Sequence, residues 1–360
     1  MRRAIAVALA LLLADGASAD SLRIATFQTG LSADGPGLLL RDILRDDPRI
    51  TLVLDMVAGA DADAILLQDV DYDAGGAVLS ALTDRLADIG APYPFAFQAR
   101  PNTGMATGLD MDGDGRTGGP RDSQGFGRFA GQGGMALLSR LPIDTDAALD
   151  FAPFLWRDLP GAIPPDGPFP SARAAEIRRL SSTAHWVVPL RLANGDRLSL
   201  LAWHATPPVF DGPEDLNGRR NHDEAAFWLR YLDGALPEPP PDGPLVVLGD
   251  ANLDPVDGDG RAGALNALLA HPRLQDPLPS APPTTVPAGV NLTHRGAPHL
   301  DTADWDDAGP GDLRVSYVLP SRDLTVLGAG LLRPDPALPD DIRPSAAVVW
   351  VDIDLPPALR

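Results

Sequence analysis

Leu245-Val246-Val247-Leu248-Gly249-Asp250-Ala251-Asn252 is the most informative stretch of this sequence. An apolar run of strand length is followed at once by a glycine, an acid and an amide. Short apolar runs that end in turn residues are typical of buried strands. Because side chains that follow buried strands converge at one edge of an α/β sheet, Asp250 and Asn252 are candidates for a functional site.

Three further apolar runs also end in polar side chains. Residues 22–27 lead to Gln28, residues 64–67 lead to Gln68 and Asp69, and residues 198–203 lead to His204. A single carboxylate after a strand usually does no more than form a turn or cap a helix. The set of strand ends in this chain brings two carboxylates, amides and a histidine, and this combination favours a shared site.

Apolar runs of strand length alternate with segments of helical spacing along the chain. Further predicted strands are residues 135–138, 186–192, 315–319 and 348–353, and helical spacing is found in residues 38–44, 78–89, 225–232 and 264–269. This alternation predicts layered α/β architecture. Predicted loops, rich in glycine, proline and polar residues, are 98–133, 152–175 and 272–312. No domain boundary is evident, so residues 20–360 are predicted to form a single domain.

The first 19 residues have the layout of a secretory signal peptide. Arg2 and Arg3 precede an uninterrupted apolar run, residues 4–14, and Ala17-Ser18-Ala19 offers small residues for cleavage. The alternative is a buried N-terminal helix. No later segment has the roughly 20 apolar residues that a membrane-spanning helix needs. We therefore expect a secreted or periplasmic protein without a membrane span.

The composition narrows the range of partners. The chain carries 49 acidic residues against 29 basic ones, all of them arginine, and its formal net charge is −20. Strong binding of duplex nucleic acid needs a basic surface, which this sequence lacks, whereas a small phosphate ester or a divalent cation remains a suitable partner. There is no cysteine, so disulfides and thiolate chemistry are excluded. We expect a monomer.

Several motifs carry a family resemblance. Gly249-Asp250-Ala251-Asn252 is the most specific of them, and it is joined by Asn102-Thr103-Gly104 and by residues 204–212, 218–224 and 314–319. In this order the elements resemble the endonuclease/exonuclease/phosphatase family, and its secreted bacterial branch in particular. The resemblance runs from about residue 22 to residue 354. It implies a four-layer α/β sandwich of the DNase I-like type, in which two packed mixed β-sheets are flanked by helices.

The resemblance also implies a site and a mechanism. Asp69 stands where the family has a metal-binding Glu, and the divalent metal is most often Mg²⁺, with Mn²⁺ or Ca²⁺ as alternatives. Asp250 would orient or deprotonate water, Asn252 would bond the phosphoryl oxygens, and His204 would stabilise or protonate the phosphate. Supporting or substrate-binding roles fall to Gln28 and Asn102.

The sequence departs from the family pattern mainly at its C-terminal end. Ser345 and Ala346 stand where the family has Asp and His, and Ser316 stands where it has the Asp that orients that His. Nearby His294 or His299 could substitute, but the simpler interpretation is that both are solvated loop residues. The sequence therefore predicts a metal-dependent phosphoesterase with reduced or lost activity.

The alternative function is a non-catalytic protein that holds a phosphate-containing ligand or a divalent cation. Packing of apolar side chains around Ala346 would argue against catalysis. A third candidate is a calcium-dependent interaction protein. Asp110, Asp112 and Asp114 match the start of an EF-hand loop, but the twelfth position is Arg121 and no helices flank the run. A solvated acidic turn is the alternative interpretation, and a similar uncertain cluster follows Asn252, at Asp254, Asp257 and Asp259.

Overall fold

Two mixed β-sheets form the centre of the fold in the computed structural model, which describes residues 21–284 and 286–356. The predicted signal peptide, residues 1–19, lies outside the described residues. The strands are β1 Ser21–Gln28, β2 Ala64–Val70, β3 Phe95–Phe97, β4 Gly134–Ser139, β5 Leu149–Asp150, β6 Ala184–Arg191, β7 Arg197–His204, β8 Leu245–Asp250, β9 Ala303–Asp304, β10 Asp312–Leu313, β11 Ser316–Pro320, β12 Thr325–Leu332 and β13 Val348–Asp354.

The first sheet has the strand order β12-β13-β1-β2-β4-β3, and the second has the order β11-β8-β7-β6-β5. Each sheet contains one parallel pair, β1 with β2 and β7 with β8, and its other pairs are antiparallel. Strands β9 and β10 form a separate two-stranded ribbon. The parallel pairs bring the carboxyl ends of β1 and β2, and those of β7 and β8, to common sheet edges.

Helices cover the outer faces of both sheets. Their bounds are α1 Leu38–Ile43, α2 Pro48–Ala60, α3 Ala77–Asp88, α4 Ala172–Ile177, α5 Leu216–Leu232 and α6 Gly263–Leu269. Short 3₁₀ helices span Pro120–Asp122, Thr145–Ala147, Trp156–Asp158, Gly289–Leu292 and Pro298–Leu300. None of the described helices has the length and apolar character needed to cross a membrane.

Alternation along the strands builds three apolar layers. In β1, Ile24 belongs to the cluster between the sheets, whereas Ala25 faces the cluster under α1, α2 and α3. In the second sheet, Leu200 points inward and Leu201 contacts the cluster under α5 and α6. Successive strand residues point to opposite faces, so each sheet contributes to two clusters. The result is the predicted four-layer sandwich, helix on sheet on sheet on helix.

Several elements differ from the sequence-based predictions. Helix α5 begins at Leu216, nine residues before the helical spacing of residues 225–232 predicts. Helices α2 and α4, strand β12 and the short strands β3, β5, β9 and β10 had no predicted counterpart. In β12, Gly328 and Gly330 pack against the ring of Trp350, and such glycines weaken the apolar alternation that marks a strand. The loops 98–133, 152–175 and 272–312 are largely irregular, as expected.

Candidate active site

The carboxyl ends of β7 and β8 bring His204 and Asp250 together. The two residues are direct partners in the parallel register. Asp250 is buried, and its Oδ2 lies 3.9 Å from Nε2 of His204, which is beyond hydrogen-bond distance. The backbone N–H of Ala205 donates to the Asp250 carbonyl at 2.9 Å, so the two strand ends are locked in register where the side chains meet.

Burial shifts the titration of both groups in opposite directions. It raises the pKa of Asp250 to about 7, and the negative charge of Asp69 adds to the rise. It lowers the pKa of His204 to about 4, because the charged imidazolium is poorly solvated there. His204 is therefore neutral at pH 7. Its Nδ1 is buried and has no hydrogen-bond partner among the described residues.

Asp69 approaches the same point from the other sheet. Burial raises the pKa of this carboxyl to about 6, with a further contribution from Asp71. Asp69 has a left-handed backbone conformation, φ 59°, at the register shift between Gln68 and Val70 in the β2–β4 pair. Strained conformations of this kind concentrate at functional sites.

Gly133 makes room for the Asp69 carboxylate. A Cβ atom at Gly133 would lie 2.6 Å from Oδ1 of Asp69, so a larger residue would displace the carboxylate. The backbone N–H of Gly133 also donates to Oδ1 of Asp71 at 3.0 Å, and the N–H of Ala33 donates to Oδ2 of Asp71 at 3.1 Å. The end of the 98–133 loop is thereby fixed against the end of β2. Asp71 was not among the residues that the sequence singled out.

Gln28 ends β1 beside Gln68 in the parallel register. Gln28 is half-buried at the edge of the sheet. Gln68 is buried, and its Nε2 donates to the Thr26 hydroxyl at 2.6 Å, whereas its Oε1 has no partner among the described residues. A buried acceptor without a donor is uncommon, and this one lies beside Asp69 in the sequence.

Two asparagines tie the loops that follow β7 and β8. Asn252 donates from Nδ2 to the Ala205 carbonyl at 2.9 Å, and its backbone N–H donates to Oδ1 of Asp250 at 2.8 Å. Asn221 on α5 donates from Nδ2 to the carbonyls of Thr206 and Ala251, both at 2.7 Å. These bonds fix the distance between the His204 and Asp250 strand ends. The amide N–H groups of Asn221 are thus used within the protein, and its Oδ1 is buried without a partner among the described residues.

Helix α5 holds the surrounding loops through a buried charged pair. Glu224 accepts hydrogen bonds from the backbone N–H and hydroxyl of Ser182, at 2.6 and 2.8 Å, and from the N–H of Thr206 at 2.7 Å. Arg220, one turn earlier, donates to four backbone carbonyls. These belong to Gln124, Arg179, Leu180 and Ser181. The pair connects the loop after β7 to the two long loops before β4 and β6.

Asn102 has a structural role in this arrangement. Its Nδ2 donates to the carbonyls of Ala152 and Ser181, at 2.8 and 2.7 Å. Its Oδ1 accepts from Nη1 of Arg179 at 2.8 Å. Both amide hydrogens are therefore engaged with the protein, so Asn102 positions the loops and has no N–H left to offer a substrate.

The C-terminal corner of the site carries no titratable side chain at the three positions that depart from the family pattern. Ser316 faces Asp250 across the β8–β11 pair, and its buried hydroxyl has no partner in the described part of the chain. Ala346 is buried in the apolar cluster that includes Ala25 and Phe27. Ser345 is exposed, and its carbonyl accepts from the Asp304 N–H.

Asp301 is a titratable group near this corner that the sequence did not reveal. It is buried, and burial followed by the charges of Asp254 and Asp312 raises its pKa to about 7. The hydroxyl of the next residue, Thr302, accepts from the N–H groups of Val315 and Ser316. Of the two histidines considered as substitutes, His294 is half-buried and His299 is exposed. Their participation stays a prediction.

The acidic cluster in the predicted calcium loop contains different residues from those that the sequence spacing indicated. Carboxylate oxygens of Asp110, Asp112 and Asp122 lie within 4.8 Å of one another, whereas Asp114 is exposed and outside this group. Asp122 accepts from the N–H groups of Met111 and Gly119, at 2.9 and 2.8 Å. Both carboxylate oxygens of Asp122 therefore accept hydrogen bonds from the backbone, and these bonds close the loop without an ion.

A divalent cation fits the donor set at the sheet edge. Asp69 and Asp250 supply two carboxylates from opposite sheets, and each is harder to ionise than a free aspartate. Hard cations such as Mg²⁺ prefer oxygen ligands of this kind, and a nearby cation would favour the ionised form of both groups. The unpaired Gln68 Oε1 adds a further buried oxygen in the same region.

The model of the endonuclease/exonuclease/phosphatase family matches residues 30–345. The chain belongs to this family. Members of the family hydrolyse phosphate esters and typically use divalent metals. The match covers the whole second sheet and strands β2, β3, β4 and β12 of the first, whereas β1 and β13 lie outside it. Asp69, His204, Asp250 and Asn252 lie within the match, and Gln28 and Ala346 lie outside it. No curated protein matches the sequence.

Solved structures of family proteins share the fold at low sequence identity. One from Beutenbergia cavernae has a TM-score of 0.53 at 17% identity, covering 93% of this chain and 72% of its own. Proteins from Leptotrichia buccalis and Bacteroides thetaiotaomicron both have a TM-score of 0.50 at 13% identity, with 93% of this chain covered and 99% and 98% of theirs. At these identities the likeness establishes the family fold alone.

Proposed function

We propose that this protein is an exported, metal-dependent phosphoesterase whose catalytic rate is reduced. The observation that carries the proposal is the pair of carboxylates at the ends of β2 and β8. Asp250 is buried beside His204, and the charge of the half-buried Asp69 from the other sheet reaches it. Burial raises the pKa of both acids, and the charge of Asp69 raises that of Asp250 further, so the ionised pair is costly unless it serves a ligand of opposite charge. Export rests on residues 1–19, and cleavage after Ala19 would be seen in the N-terminal sequence of protein recovered outside the cytoplasm.

Each residue has a distinct task in this mechanism. Asp69 and Asp250 would hold Mg²⁺, which supplies positive charge to the phosphate oxygens when it is bound. Asp250 also orients the water molecule and takes its proton as the water oxygen bonds to phosphorus and the ester oxygen leaves. Neutral His204 donates a hydrogen bond to the phosphate. Asn252 holds the Asp250 carboxylate through its backbone N–H.

The reduced rate follows from the C-terminal corner. Ser316, Ser345 and Ala346 cannot act as an acid or a base at neutral pH. Loss of a general acid or base typically costs roughly 10²–10⁴-fold in rate. Because groups that act as a unit are not additive, loss of the orienting carboxylate together with its histidine adds little to that cost. Electrostatic stabilisation at the carboxylate edge supports the remaining rate.

A second candidate function is binding without hydrolysis. The burial of Ala346 in an apolar cluster favours it, because apolar packing occupies the position where the family pattern has a histidine. The protein would then hold a phosphate ester or a divalent cation at the same edge. Both candidates use Asp69, His204 and Asp250, and they differ only in turnover.

The deciding experiment is hydrolysis of bis(p-nitrophenyl) phosphate and p-nitrophenyl phosphate with Mg²⁺, Mn²⁺ or Ca²⁺, and with EDTA. We expect slow, metal-dependent release of p-nitrophenolate that is lost in Asp250→Ala. A matched control is Asp55→Ala, which removes an exposed carboxylate from helix α2 and should leave the rate unchanged. Absence of turnover with calorimetric binding of phosphate retained would establish the non-catalytic function. Unchanged turnover in Asp250→Ala would refute the site.

A further inference from the structure

Phe210 and Phe126 have the most exposed aromatic rings among the described residues. Phe210 is 75% exposed and Phe126 is 60% exposed, whereas Phe95 follows at 37% and the other described rings are at least half-buried. Large exposed apolar side chains that are grouped around a site mark contact surfaces more often than isolated ones do. Both phenylalanines lie on loops that lead directly to the candidate active site.

Phe210 lies six residues after His204, in a loop that is tied at both ends. Asn217 on α5 donates from Nδ2 to the Val209 carbonyl at 2.7 Å, and its backbone N–H donates to the Asp211 carboxylate. A Cβ at Gly260 would lie 3.1 Å from the Pro208 side chain, so this loop also packs on the loop that follows Asp250. The ring is therefore presented by an ordered segment.

The backbone of Phe210 is strained. Its φ is 70°, in the left-handed region, which is unfavourable for a bulky side chain. A glycine or asparagine would relieve this strain, and an exposed ring gains little from burial in return. Strained backbone that is held by surrounding bonds is a feature of ligand-binding loops.

Phe126 lies on the 98–133 loop, whose last residue packs against Asp69. It lies seven residues before Gly133, the residue that abuts the Asp69 carboxylate. A Cβ at Gly125 would lie 1.8 Å from the Ser182 carbonyl, and one at Gly127 would lie 2.5 Å from the Gly104 nitrogen. These close backbone contacts hold the turn that carries the ring. Through Ser182 and Glu224, this turn also connects to Thr206 in the Phe210 loop.

The charge of the protein indicates what such rings would bind. Two arginines of the loops around the site, Arg220 and Arg179, are bonded to oxygens of the protein itself. The net charge of −20 opposes a long chain of phosphates. Affinity beyond the phosphate itself must then come from apolar contact with the organic part of the ester.

We propose that Phe210 and Phe126 form an aromatic rim that binds an aromatic or other apolar substituent of the phosphate ester. This inference rests on the proposed function and specifies its substrate class, a phosphodiester with an apolar group next to the phosphate. Aromatic rings pair with planar groups by offset stacking or edge-to-face contact. One such contact is worth roughly ten-fold in kcat/KM.

The test compares two diesters that share one leaving group and one charge. Phenyl p-nitrophenyl phosphate and methyl p-nitrophenyl phosphate both release p-nitrophenolate and differ only in the retained substituent. We expect the wild type to prefer the phenyl ester by roughly ten-fold in kcat/KM. Phe210→Ala should remove most of this preference and leave the rate on the methyl ester unchanged. The control is Phe95→Ala. Phe95 pairs with Ser139 at the end of β4 that is remote from Asp69, so this substitution should change neither rate.

If the wild type and Phe210→Ala hydrolyse both esters with the same preference for the phenyl ester, the aromatic rim is refuted. The proposed function is not affected by that result. Absence of hydrolysis of either ester would instead contradict the catalytic proposal. In that case the rim is tested by calorimetric binding of phenyl phosphate against methyl phosphate. Tighter binding of phenyl phosphate that is lost in Phe210→Ala supports the rim, and equal binding refutes it.

Discussion

At the scale of single residues, burial sets the chemistry of Asp250, His204 and Asp69. The Asp250 and His204 side chains face each other across a parallel strand pair. Burial raises the pKa of Asp250 and lowers that of His204, so it favours the neutral form of each group. A bound cation would favour the ionised form of Asp250, which could then take a proton from water beside the neutral histidine. The same burial makes each carboxylate expensive to keep ionised without a ligand.

Asp301 is also costly to ionise in the folded protein, although it is not one of the proposed catalytic residues. It therefore provides a test of how stability depends on pH. Its pKa is about 7 in the folded protein, against roughly 4 in an unfolded chain. Between these values the folded state binds more protons, so the free energy of unfolding falls as the pH rises. The destabilisation by ionised Asp301 is absent below about pH 4 and complete above about pH 7.

We therefore expect Asp301→Asn to stabilise the protein by about 1–2 kcal/mol at pH 8, a value reduced from the full shift because solvent screens part of the repulsion. The gain should vanish at pH 4. Urea unfolding at both pH values measures it. A gain of equal size at both values would show that charge repulsion at Asp301 is not the cause.

At the scale of elements, helix α5 organises the loops around the site with a polar face. Arg220, Asn221, Asp223 and Glu224 are all buried there. Because the face that packs inward is charged and amidic, the apolar periodicity of the sequence begins only at Ala225. That is why the sequence placed the start of this helix too late.

The longer strands and helices with a continuous apolar pattern were predicted from the sequence, and elements without such a pattern were not. The strands that lead to Asp69, His204 and Asp250 were found because short apolar runs end abruptly in polar residues. Helix α2 was missed although Asp47 caps it and Pro48 occupies its first turn, both of which are sequence signals. The roles of Asn221 and Asp301 depend on contacts between distant segments, which no local pattern reports.

The polar face of α5 gives a prediction at the same scale. In Glu224→Gln the side-chain amide would direct a donor at N–H and O–H groups that already donate, and Arg220 would lose its buried counter-charge. We expect a loss of about 2–4 kcal/mol in the free energy of unfolding, measured by guanidinium denaturation. Glu176→Gln, in the exposed pair with Arg173, is the control and should leave the denaturation midpoint unchanged. An unchanged midpoint in Glu224→Gln would show that the pair does not secure the loops.

At the scale of the whole molecule, the strongly acidic chain offers two candidate sites for a divalent cation among the described residues, the sheet edge and the Asp110 loop. Cation binding to the folded state raises the free energy of unfolding by an amount set by concentration and affinity, about 2.7 kcal/mol at a hundred times Kd. We expect Mg²⁺ to raise the Tm of the wild type and to have little effect on Asp69→Asn. EDTA should reverse the rise.

Asp122→Asn separates the two places. If the rise persists in Asp122→Asn and is lost in Asp69→Asn, the cation binds at the sheet edge. The reverse pattern would assign cation binding to the Asp110 loop and would remove the metal from the proposed mechanism. A rise that survives both substitutions would show that neither cluster is responsible.

The candidate site is divided between the two sheets, with Asp69 at the end of β2 and Asp250 at the end of β8. A ligand held by both carboxylates therefore joins the sheets at their edge, like a removable cross-link. Opening either sheet would release the ligand, so bound ligand should make the two halves of the sandwich open together. Amide hydrogen exchange would then slow in β1, β2, β7 and β8 in concert, and the protein would unfold as a more cooperative unit when its site is filled.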